Sequence, residues 1–218
     1  RTPLSVIRGG AQVLVNKPHL DAETRFELLS DVVAESERLE RLLSNLLALT
    51  EITAGRLRAS LEPVLLEPLV SRVVTEFQNR SVLHTFAIDI ITSLPPAEAD
   101  PDLLEEVLRN LYENAIKYAP QGGRVLTTVS AEDARIAIRI TDEGIGIAPE
   151  HVKTVFERFR RVGGDSRVRG MGLGLYLCRG LIEAQGGHIG ASSPGPGRGS
   201  TFTVTLPIAT GWADSEQV

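Results

Sequence analysis

The sequence lacks the features that mark several classes of protein. It has one cysteine, Cys178, so an internal disulfide and a thiolate metal cluster are both excluded. No apolar run approaches the roughly 18 residues that span a bilayer, and no signal-peptide pattern is present. The only methionine is Met171, so the chain does not begin with an initiator residue. We therefore expect a cytoplasmic fragment of a longer protein, and we expect no membrane contact from the fragment itself. This expectation is compatible with a longer protein that is a sensor of the inner membrane.

Basic residues are too few for a general attraction to polyanions. Lys and Arg number 23 against 28 Asp and Glu, which gives a formal net charge of -5 at pH 7. Binding to nucleic acid or to anionic membrane is therefore not favoured, and an anionic ligand needs a local basic cluster. What is present is 42% apolar and 23% charged residues, typical of a soluble globular chain with a proper core.

The first part of the chain predicts two helices joined by a turn. One helix is expected from Pro3 to about Val15, followed by the turn NKPHLD, which ends in a candidate N-cap, Asp21. From there to about Thr53 no glycine or proline occurs, so a second helix of roughly 45 Å is expected. Its apolar residues follow a heptad seam that Glu35 interrupts. The seam consists of Leu28, Val32, Leu39, Leu42, Leu46 and Leu49.

This seam needs a surface to pack against. A second copy of the chain would complete a four-helix bundle, so we interpret the first part as the dimerisation unit of a homodimer. The alternative is that the long helix packs on the C-terminal domain of its own chain.

After Gly55 the pattern changes to short apolar stretches separated by prolines. Strands are expected at 81–91, 124–130, 135–142, 188–193 and 201–206, and helices at 67–78, 102–118 and 172–185. The whole chain therefore predicts an α+β fold, in which an antiparallel helical hairpin precedes an α/β sandwich with helices on one face of a sheet. The expected domains are residues 1–55 and 56–210, followed by a tail at 211–218.

Residues 100–120, DPDLLEEVLRNLYENAIKYAP, predict a helix with two different stripes. The apolar stripe, expected to face the sheet, consists of Leu104, Leu108, Leu111 and Ala115. About 100° around lies a polar stripe of Asn110, Asn114 and Lys117, with Tyr118 between the two. A polar stripe beside the core is typical of a cleft wall, and its length of about 12 Å suits an extended nucleoside triphosphate. An amide oxygen is a reasonable ligand for Mg²⁺. The alternative is a solvated helix face without a ligand.

Residues 140–150, ITDEGIGIAPE, end a strand in a carboxylate and continue with glycines. Asp142 can accept a hydrogen bond from an exocyclic amine, which adenine has and guanine lacks at the corresponding position. Gly144 and Gly146 allow a flat ligand close to the main chain. A glycine-rich turn without a ligand is the alternative.

Residues 169–181, RGMGLGLYLCRGL, carry three alternating glycines directly before a predicted helix. The free N–H groups at a helix N-terminus suit phosphate oxygens. The spacing fits neither the dinucleotide-binding fingerprint nor the phosphate loop of P-loop enzymes. The preceding FERFRRVGGDSRVRG combines a glycine pair with five arginines, so it is a candidate lid over a polyphosphate, or else an exposed basic loop.

The ordered set of these strings resembles the catalytic core of two-component sensor histidine kinases. Asn-x-x-x-Asn on a helix is followed by Asp-x-Gly-x-Gly, then F-x-x-F with arginines, then G-x-G-x-G, and the match runs from RTPL to GSTFTVTLP. The resemblance implies the ATP-binding fold shared with DNA gyrase, heat-shock chaperones and mismatch-repair ATPases, with ATP and Mg²⁺ bound. Two residues depart from the family pattern without removing a required polar group: Met171 replaces a threonine and Tyr112 an aliphatic residue.

The resemblance also implies the residues that hold the metal and phosphates. Asn114 would be the Mg²⁺ ligand, Asn110 would lie close to the metal and phosphates, and Lys117 would contact phosphate. Arg161 matches the arginine that reaches the γ-phosphate. The residues implied at the exit of the lid are Gly170, Gly172 and Gly174, and Leu173 is implied as a further ATP-binding residue.

The adenine end of the implied site involves a second set of residues. Tyr118 would flank the base and Asp142 would bind its amine. Gly144 and Gly146 would shape this pocket, and Ile147 is implied as a further ATP-binding residue. Ser200 and Thr201 sit where the family often has a hydroxyl near the pocket.

The opening residues RTPL resemble the end of the string H-E-L-R-T-P-L, in which the family carries its phosphoacceptor histidine. That histidine would lie three residues before Arg1 and would pass the phosphoryl group to the receiver domain of a response regulator. In the family's H-E-x-x-T pattern the threonine, here Thr2, positions the water that dephosphorylates the receiver. Thr2-Pro3 is also an ordinary start of a helix.

Two other functions fit parts of the sequence. An ATP-hydrolysing clamp of the gyrase or chaperone class has a glutamate four residues before its metal-binding asparagine, but here that position is Asn110, which cannot take a proton from water. A non-catalytic nucleotide-binding dimerisation module is the second alternative.

Overall fold

The computed structural model of the chain describes residues 3–91, 93–132, 134–160 and 172–210, with only the backbone at Arg41. The chain divides into two compact units, Arg1–Ala54 and Gly55–Val218. None of the described helices is long and apolar enough to cross a lipid bilayer.

The first unit is a helical hairpin of α1 (Pro3–Asn16) and α2 (Ala22–Thr53). Asp21 is the N-cap of α2, and its Oδ1 accepts a hydrogen bond from the Thr24 N–H at 2.8 Å, as the turn sequence predicts. The two helices approach closely at Gly10, where a Cβ atom would lie 2.8 Å from Cγ2 of Val32. Gly10 therefore permits the contact between the helices.

The second half of α2 exposes much of its apolar surface within one chain. The exposed fractions are 39% for Leu39, 60% for Leu43, 54% for Leu46 and 60% for Leu47. Leu39 and Leu46 belong to the predicted heptad seam. Contiguous apolar surface of this kind marks an interaction site more often than a free surface.

The second unit contains four helices and seven strands among its described residues. They are β1 (Glu62–Val64), α3 (Leu66–Arg80), β2 (His84–Ile90), β3 (Ala97–Ala99), α4 (Pro101–Tyr118), β4 (Gly123–Glu132), β5 (Arg135–Asp142), α5 (Pro149–Val152), α6 (Gly174–Glu183), β6 (His188–Ser192) and β7 (Ser200–Pro207).

Five of the strands form a mixed sheet in the order β2-β4-β5-β7-β6. β2 pairs with β4 in parallel, whereas the other neighbours are antiparallel. β7 alternates buried and half-buried residues along its whole length, so one sheet face lies on the core. Helices α3, α4 and α6 contact this sheet, and their apolar stripes are buried. The predicted α+β fold with helices on one sheet face is therefore confirmed.

Three elements do not appear among the sequence predictions. β1 and β3 pair in a separate two-stranded antiparallel sheet, and α5 is a single helical turn. Each is three or four residues long, which is too short to show an apolar period. Apart from these, the described elements lie where the sequence predicts them, within one to three residues at their ends.

Tyr112 lies in the centre of the core of the second unit. Its ring is fully buried on α4, between Phe77 at 5.5 Å and Phe86 at 6.1 Å between ring centroids. Its hydroxyl is 2.6 Å from Oγ1 of the buried Thr127 on β4. The departure from an aliphatic residue is accommodated because Thr127 provides the polar partner that a buried hydroxyl requires.

We expect this tyrosine to make stability depend on pH in the alkaline range. Burial raises the pKa of Tyr112 from 10.0 to about 12, although the hydrogen bond to Thr127 opposes the shift. As the pH rises, the unfolded chain loses the Tyr112 proton before the folded chain does. The contribution of the protonated Tyr112 to the free energy of unfolding is therefore complete below pH 10 and is lost as the pH rises to about 12. It amounts to about 2 to 3 kcal/mol. Urea unfolding at several pH values should show the decline in wild type, and an equal decline in Tyr112→Phe would contradict the assignment.

Candidate active site

Asp142 is the last residue of β5, and its side chain is only 4% exposed. Its Oδ1 accepts a hydrogen bond from the Gly144 N–H at 2.8 Å, and its Oδ2 accepts one from the Ser200 hydroxyl at 2.6 Å. A carboxylate oxygen has a further lone pair beyond each of these bonds. The carboxylate is therefore held in one orientation and retains the capacity to accept a hydrogen bond from a ligand.

The residues after Asp142 lie against the C-terminal end of α4. The Ile145 N–H donates to the Tyr118 carbonyl at 2.9 Å, and a side chain at Gly144 would overlap that carbonyl. Gly146 has a φ of +69°, and a side chain there would overlap the carbonyl of Gly195. Glycine is required at both positions because another backbone segment takes the space of a Cβ.

Ile147 completes this loop and is buried, with 6% of its surface exposed. Its N–H donates a hydrogen bond to Oγ of Ser193, which follows β6, at 3.0 Å. The loop from Asp142 to Ile147 is thus in contact with α4 on one side and with residues 193–199 on the other.

The two hydroxyl residues at the start of β7 lie on opposite faces of the sheet. Ser200 is the direct cross-strand neighbour of Asp142, and Thr201 is the neighbour of Thr141. The Thr201 hydroxyl is 3.0 Å from the Thr141 hydroxyl, while Ser200 contacts the carboxylate. Of the pair singled out in the sequence, Ser200 is therefore the one beside Asp142, because successive side chains of a strand alternate between faces.

The two stripes predicted on α4 are distinct in the structure. The apolar stripe is fully buried, whereas the polar stripe of Asn110, Asn114 and Lys117 is half-buried beside it. Nζ of Lys117 lies 5.0 Å from the ring centroid of Tyr118. Among the described residues Asn114 has no hydrogen-bond partner, so its amide oxygen is available to a ligand.

Asn110 faces the start of α6. Its Nδ2 donates to the Glu106 carbonyl one turn earlier at 3.0 Å. The amide oxygen therefore points toward Gly174, the first residue of α6, where a Cβ would lie 3.1 Å from it. Both ends of the polar stripe thus have a neighbour: the loop after Asp142 at Tyr118, and the N-terminus of α6 at Asn110.

The N-terminus of α6 has no side-chain cap. Leu173 is the N-cap residue and is buried. Gly172 has a φ of +68° and lies against the backbone of Phe159 and Arg160. The first N–H groups of a helix have no partner within it, so they are available to an anion.

Side chains also join the segment before α6 to the helix itself. The Arg158 guanidinium donates to the Tyr176 hydroxyl at 2.6 Å and lies 4.6 Å from the centroid of its ring. Arg179 stacks on Phe156 at 5.0 Å. Three predicted site residues, Thr2, Arg161 and Gly170, lie outside the described residues.

The chain is similar to known proteins in both sequence and structure. Residues 99–210 match the family of histidine kinase-, DNA gyrase B- and HSP90-like ATPases, and residues 1–55 match the His Kinase A (phospho-acceptor) domain. The chain is 33% identical to the sensor histidine kinase WalK of Bacillus subtilis strain 168 over 216 residues, which is 95% of this chain and 34% of WalK.

This chain belongs to the sensor histidine kinases. The sensor histidine kinase ZraS of Escherichia coli K12 is 34% identical over 208 residues, 95% of this kinase chain and 43% of ZraS. The crystal structure of full-length ShkA in complex with AMPPNP superposes with a TM-score of 0.75 at 32% identity, covering 96% of this chain and 44% of ShkA. The Acinetobacter baumannii histidine kinase AdeS superposes with a TM-score of 0.71 at 25% identity, covering 96% and 97%. The kinase chain spans between 23% and 47% of the length of the first curated relatives it matches.

The resemblance noted in the sequence, and the fold it implies, are thus confirmed for this histidine kinase. Residues 193–199 are not among the predicted site residues, although their backbone contacts the loop after Asp142. The signal was present in SPGPGRG, since a run of glycines and prolines between two strands is typical of a tightly packed turn.

Proposed function

We propose that this chain is the core of a sensor histidine kinase that binds Mg-ATP and transfers the γ-phosphoryl group to a histidine. The histidine lies three residues before Arg1 in the longer protein, and the phosphoryl group then passes to an aspartate on a response-regulator receiver domain. The observation that carries the proposal is the buried Asp142 carboxylate, held by Gly144 and Ser200 at one end of the polar stripe of α4.

The adenine end of the proposed site is built around that carboxylate. Asp142 would accept a hydrogen bond from the exocyclic amine of adenine, and Tyr118 would flank the base where it meets Gly144. A charged acceptor strengthens such a hydrogen bond, and its fixed orientation removes the cost of ordering it when ATP binds. Because guanine has an oxygen in place of this amine, the same carboxylate would disfavour GTP.

The phosphate end lies at the other end of the stripe. Asn110 and the first N–H groups of α6 would hold phosphate oxygens there, and Arg161 would reach the γ-phosphate. Lys117, which lies beside Tyr118 at the adenine end of the stripe, would reach a phosphate with its long side chain. Asn114 offers an amide oxygen of the kind that Mg²⁺ accepts. The described residues contain no cluster of three or more His, Cys, Asp or Glu side chains that could hold a metal. The ligands of a magnesium ion would therefore be Asn114, phosphate oxygens and water. When bound, the ion would neutralise charge on the phosphates.

The same helix supports transfer to histidine rather than hydrolysis. Asn110 is an amide and cannot act as a base toward water. The nearest carboxylate along this stripe is Glu106, one turn before Asn110 and about 12 Å along the helix from Asn114. Burial raises the pKa of Glu106, and at that distance it cannot reach a water that attacks a γ-phosphate near Asn114. A histidine brought from the helical unit is then the nucleophile, and ADP is the leaving group.

The helical unit provides the partner surfaces in this proposal. The exposed leucines of α2, together with the match to the phospho-acceptor domain, support a homodimer through a four-helix bundle. The receiver domain of the response regulator would dock on the same bundle. Thr2 would position the water that removes phosphate from the receiver.

Two measurements test the proposal. The 218-residue chain should bind ATP in a magnesium-dependent manner by titration calorimetry, yet should not become labelled by ATP radioactive at the γ-phosphate. The longer protein should label itself, and its variant with glutamine at the proposed histidine should not. Absence of ATP binding, or labelling that survives this substitution, would contradict the proposal. Phosphate release without labelling would favour the clamp class instead.

A further inference from the structure

We propose that Ser193 is a positioning residue for recognition of the nucleotide base, because its hydroxyl joins the two backbone segments that hold Asp142. This inference rests on the proposed function, since it concerns how the same site reads adenine. Ser193 follows β6, is half-buried, and does not belong to the predicted site.

The hydroxyl of Ser193 bridges two segments. It donates a hydrogen bond to the Gly199 carbonyl at 2.6 Å. It accepts hydrogen bonds from the Ile147 N–H at 3.0 Å and from the Gly195 N–H at 3.2 Å. One hydroxyl thus uses its proton and both lone pairs, and it connects the end of the loop after Asp142 to the residue before β7.

These contacts lie on both sides of Asp142. Gly199 has a φ of +70°, and a side chain there would overlap the Asp142 carbonyl, so its backbone packs directly on Asp142. The next residue, Ser200, donates to the carboxylate. Ile147 ends the loop whose Gly144 N–H donates to the other carboxylate oxygen. Ser193 is therefore bonded to both backbone segments that donate a hydrogen bond to the carboxylate, at Ile147 in one segment and at Gly199 in the other.

Two backbone hydrogen bonds also join the two segments. The Gly197 N–H donates to the Ile145 carbonyl at 2.6 Å, and the Gly199 N–H donates to the Gly144 carbonyl at 3.1 Å. Both donors are glycines, which have the largest backbone freedom to lose on ordering. Within the part of the chain that the structure describes, Ser193 contributes the side-chain hydrogen bond that ties residues 193–199 to Ile147.

Loss of this hydroxyl should change base selectivity rather than nucleotide binding in general. ATP presents an amine to Asp142, so its affinity depends on a carboxylate held in place. Inosine triphosphate (ITP) presents an oxygen at the same position, so it gains nothing from the carboxylate and is repelled by it. A loosened carboxylate weakens ATP binding and leaves ITP binding unchanged or slightly improved, whereas a collapsed pocket would weaken both equally.

The test is titration of the 218-residue chain with Mg-ATP and Mg-ITP in four forms: wild type, Ser193→Ala, Ser193→Thr and Ser192→Ala. The Ser193→Ala variant lacks one such hydrogen-bonded hydroxyl and should bind ATP about tenfold more weakly than wild type does. Its affinity for ITP should stay within about twofold of wild type. Ser193→Thr retains the hydroxyl and should recover most of the ATP affinity. The exposed neighbour Ser192 is the matched control, and Ser192→Ala should bind both nucleotides as wild type does.

Unchanged ATP binding in Ser193→Ala, or an equal loss for ATP and ITP, would overturn the inference. Failure of Ser193→Thr to recover affinity would do the same when thermal unfolding shows that this variant folds. A wild-type chain that does not bind ATP would overturn the proposed function and this inference with it. The wild-type titration alone shows whether the proposed function fails, and the comparison of the variants shows whether the inference about Ser193 fails.

Discussion

Asp142→Asn should reduce the affinity for Mg-ATP on the order of 100-fold, since hydrogen bonds to charged groups contribute up to about 3 kcal/mol. Asparagine has nearly the same shape and retains one oxygen for the Gly144 N–H. Its NH₂ group can donate to Ser200, which then serves as the acceptor. The fold should therefore survive, while the charged acceptor for the adenine amine is lost.

Titration calorimetry with Mg-ATP measures this effect, and thermal unfolding checks that the variant is folded. The matched control is Asp89→Asn, which makes the same change at an exposed position of β2. A tenfold change in affinity corresponds to about 1.4 kcal/mol, so a change of threefold or less is smaller than the loss of a charged hydrogen bond. An Asp142→Asn variant that binds ATP within about threefold of wild type would therefore show that the carboxylate does not bind the adenine amine.

The second large effect concerns the metal. In the longer protein with its histidine, Asn114→Ala should lower the rate of autophosphorylation by a factor on the order of 100 to 1,000, the range for removal of one pre-organised electrostatic group. Asn114 has no hydrogen-bond partner among the described residues. Stability should therefore change little on truncation.

Incorporation of label from ATP radioactive at the γ-phosphate, followed against magnesium concentration, measures this loss. Asn79→Ala is the matched control, because Asn79 is an exposed amide near the end of α3. If Asn114→Ala incorporates label at the wild-type rate over the whole magnesium range, Asn114 is not the metal ligand. If the control loses activity to the same extent, the effect does not belong to the site.

Several parts of the site could be predicted because their signals are local. The core stripe of α4 repeats at helical spacing, so Leu104, Leu108 and Leu111 identify the buried side, and the position of Asn110 and Asn114 beside it follows from helix geometry. Asp142 stands where the alternating strand ARIAIRI ends in a glycine-rich turn. Each of these signals involves residues fewer than about ten positions apart.

Other parts depend on pairing between distant segments. β2 and β4 are parallel neighbours although α4 lies between them in the chain. Neither Ser200 nor Thr201 is distinguished by its own sequence. The register of β5 and β7, with Asp142 opposite Ser200 and Thr141 opposite Thr201, decides which hydroxyl meets the carboxylate. A shift of one residue would exchange the two.

The sequence by itself determined the family, the alternation of elements, and the residue types of the proposed site, namely the carboxylate of Asp142 and the amides of Asn110 and Asn114. These follow from composition, apolar period and the order of short motifs along the chain. The tertiary structure alone decided that Ser200 rather than Thr201 orients Asp142, that Thr127 satisfies Tyr112, and that Ser193 joins the two loops. Each of these contacts links residues at least 15 positions apart. Strand register and helix packing bring them together, and neither can be read from the residues on either side.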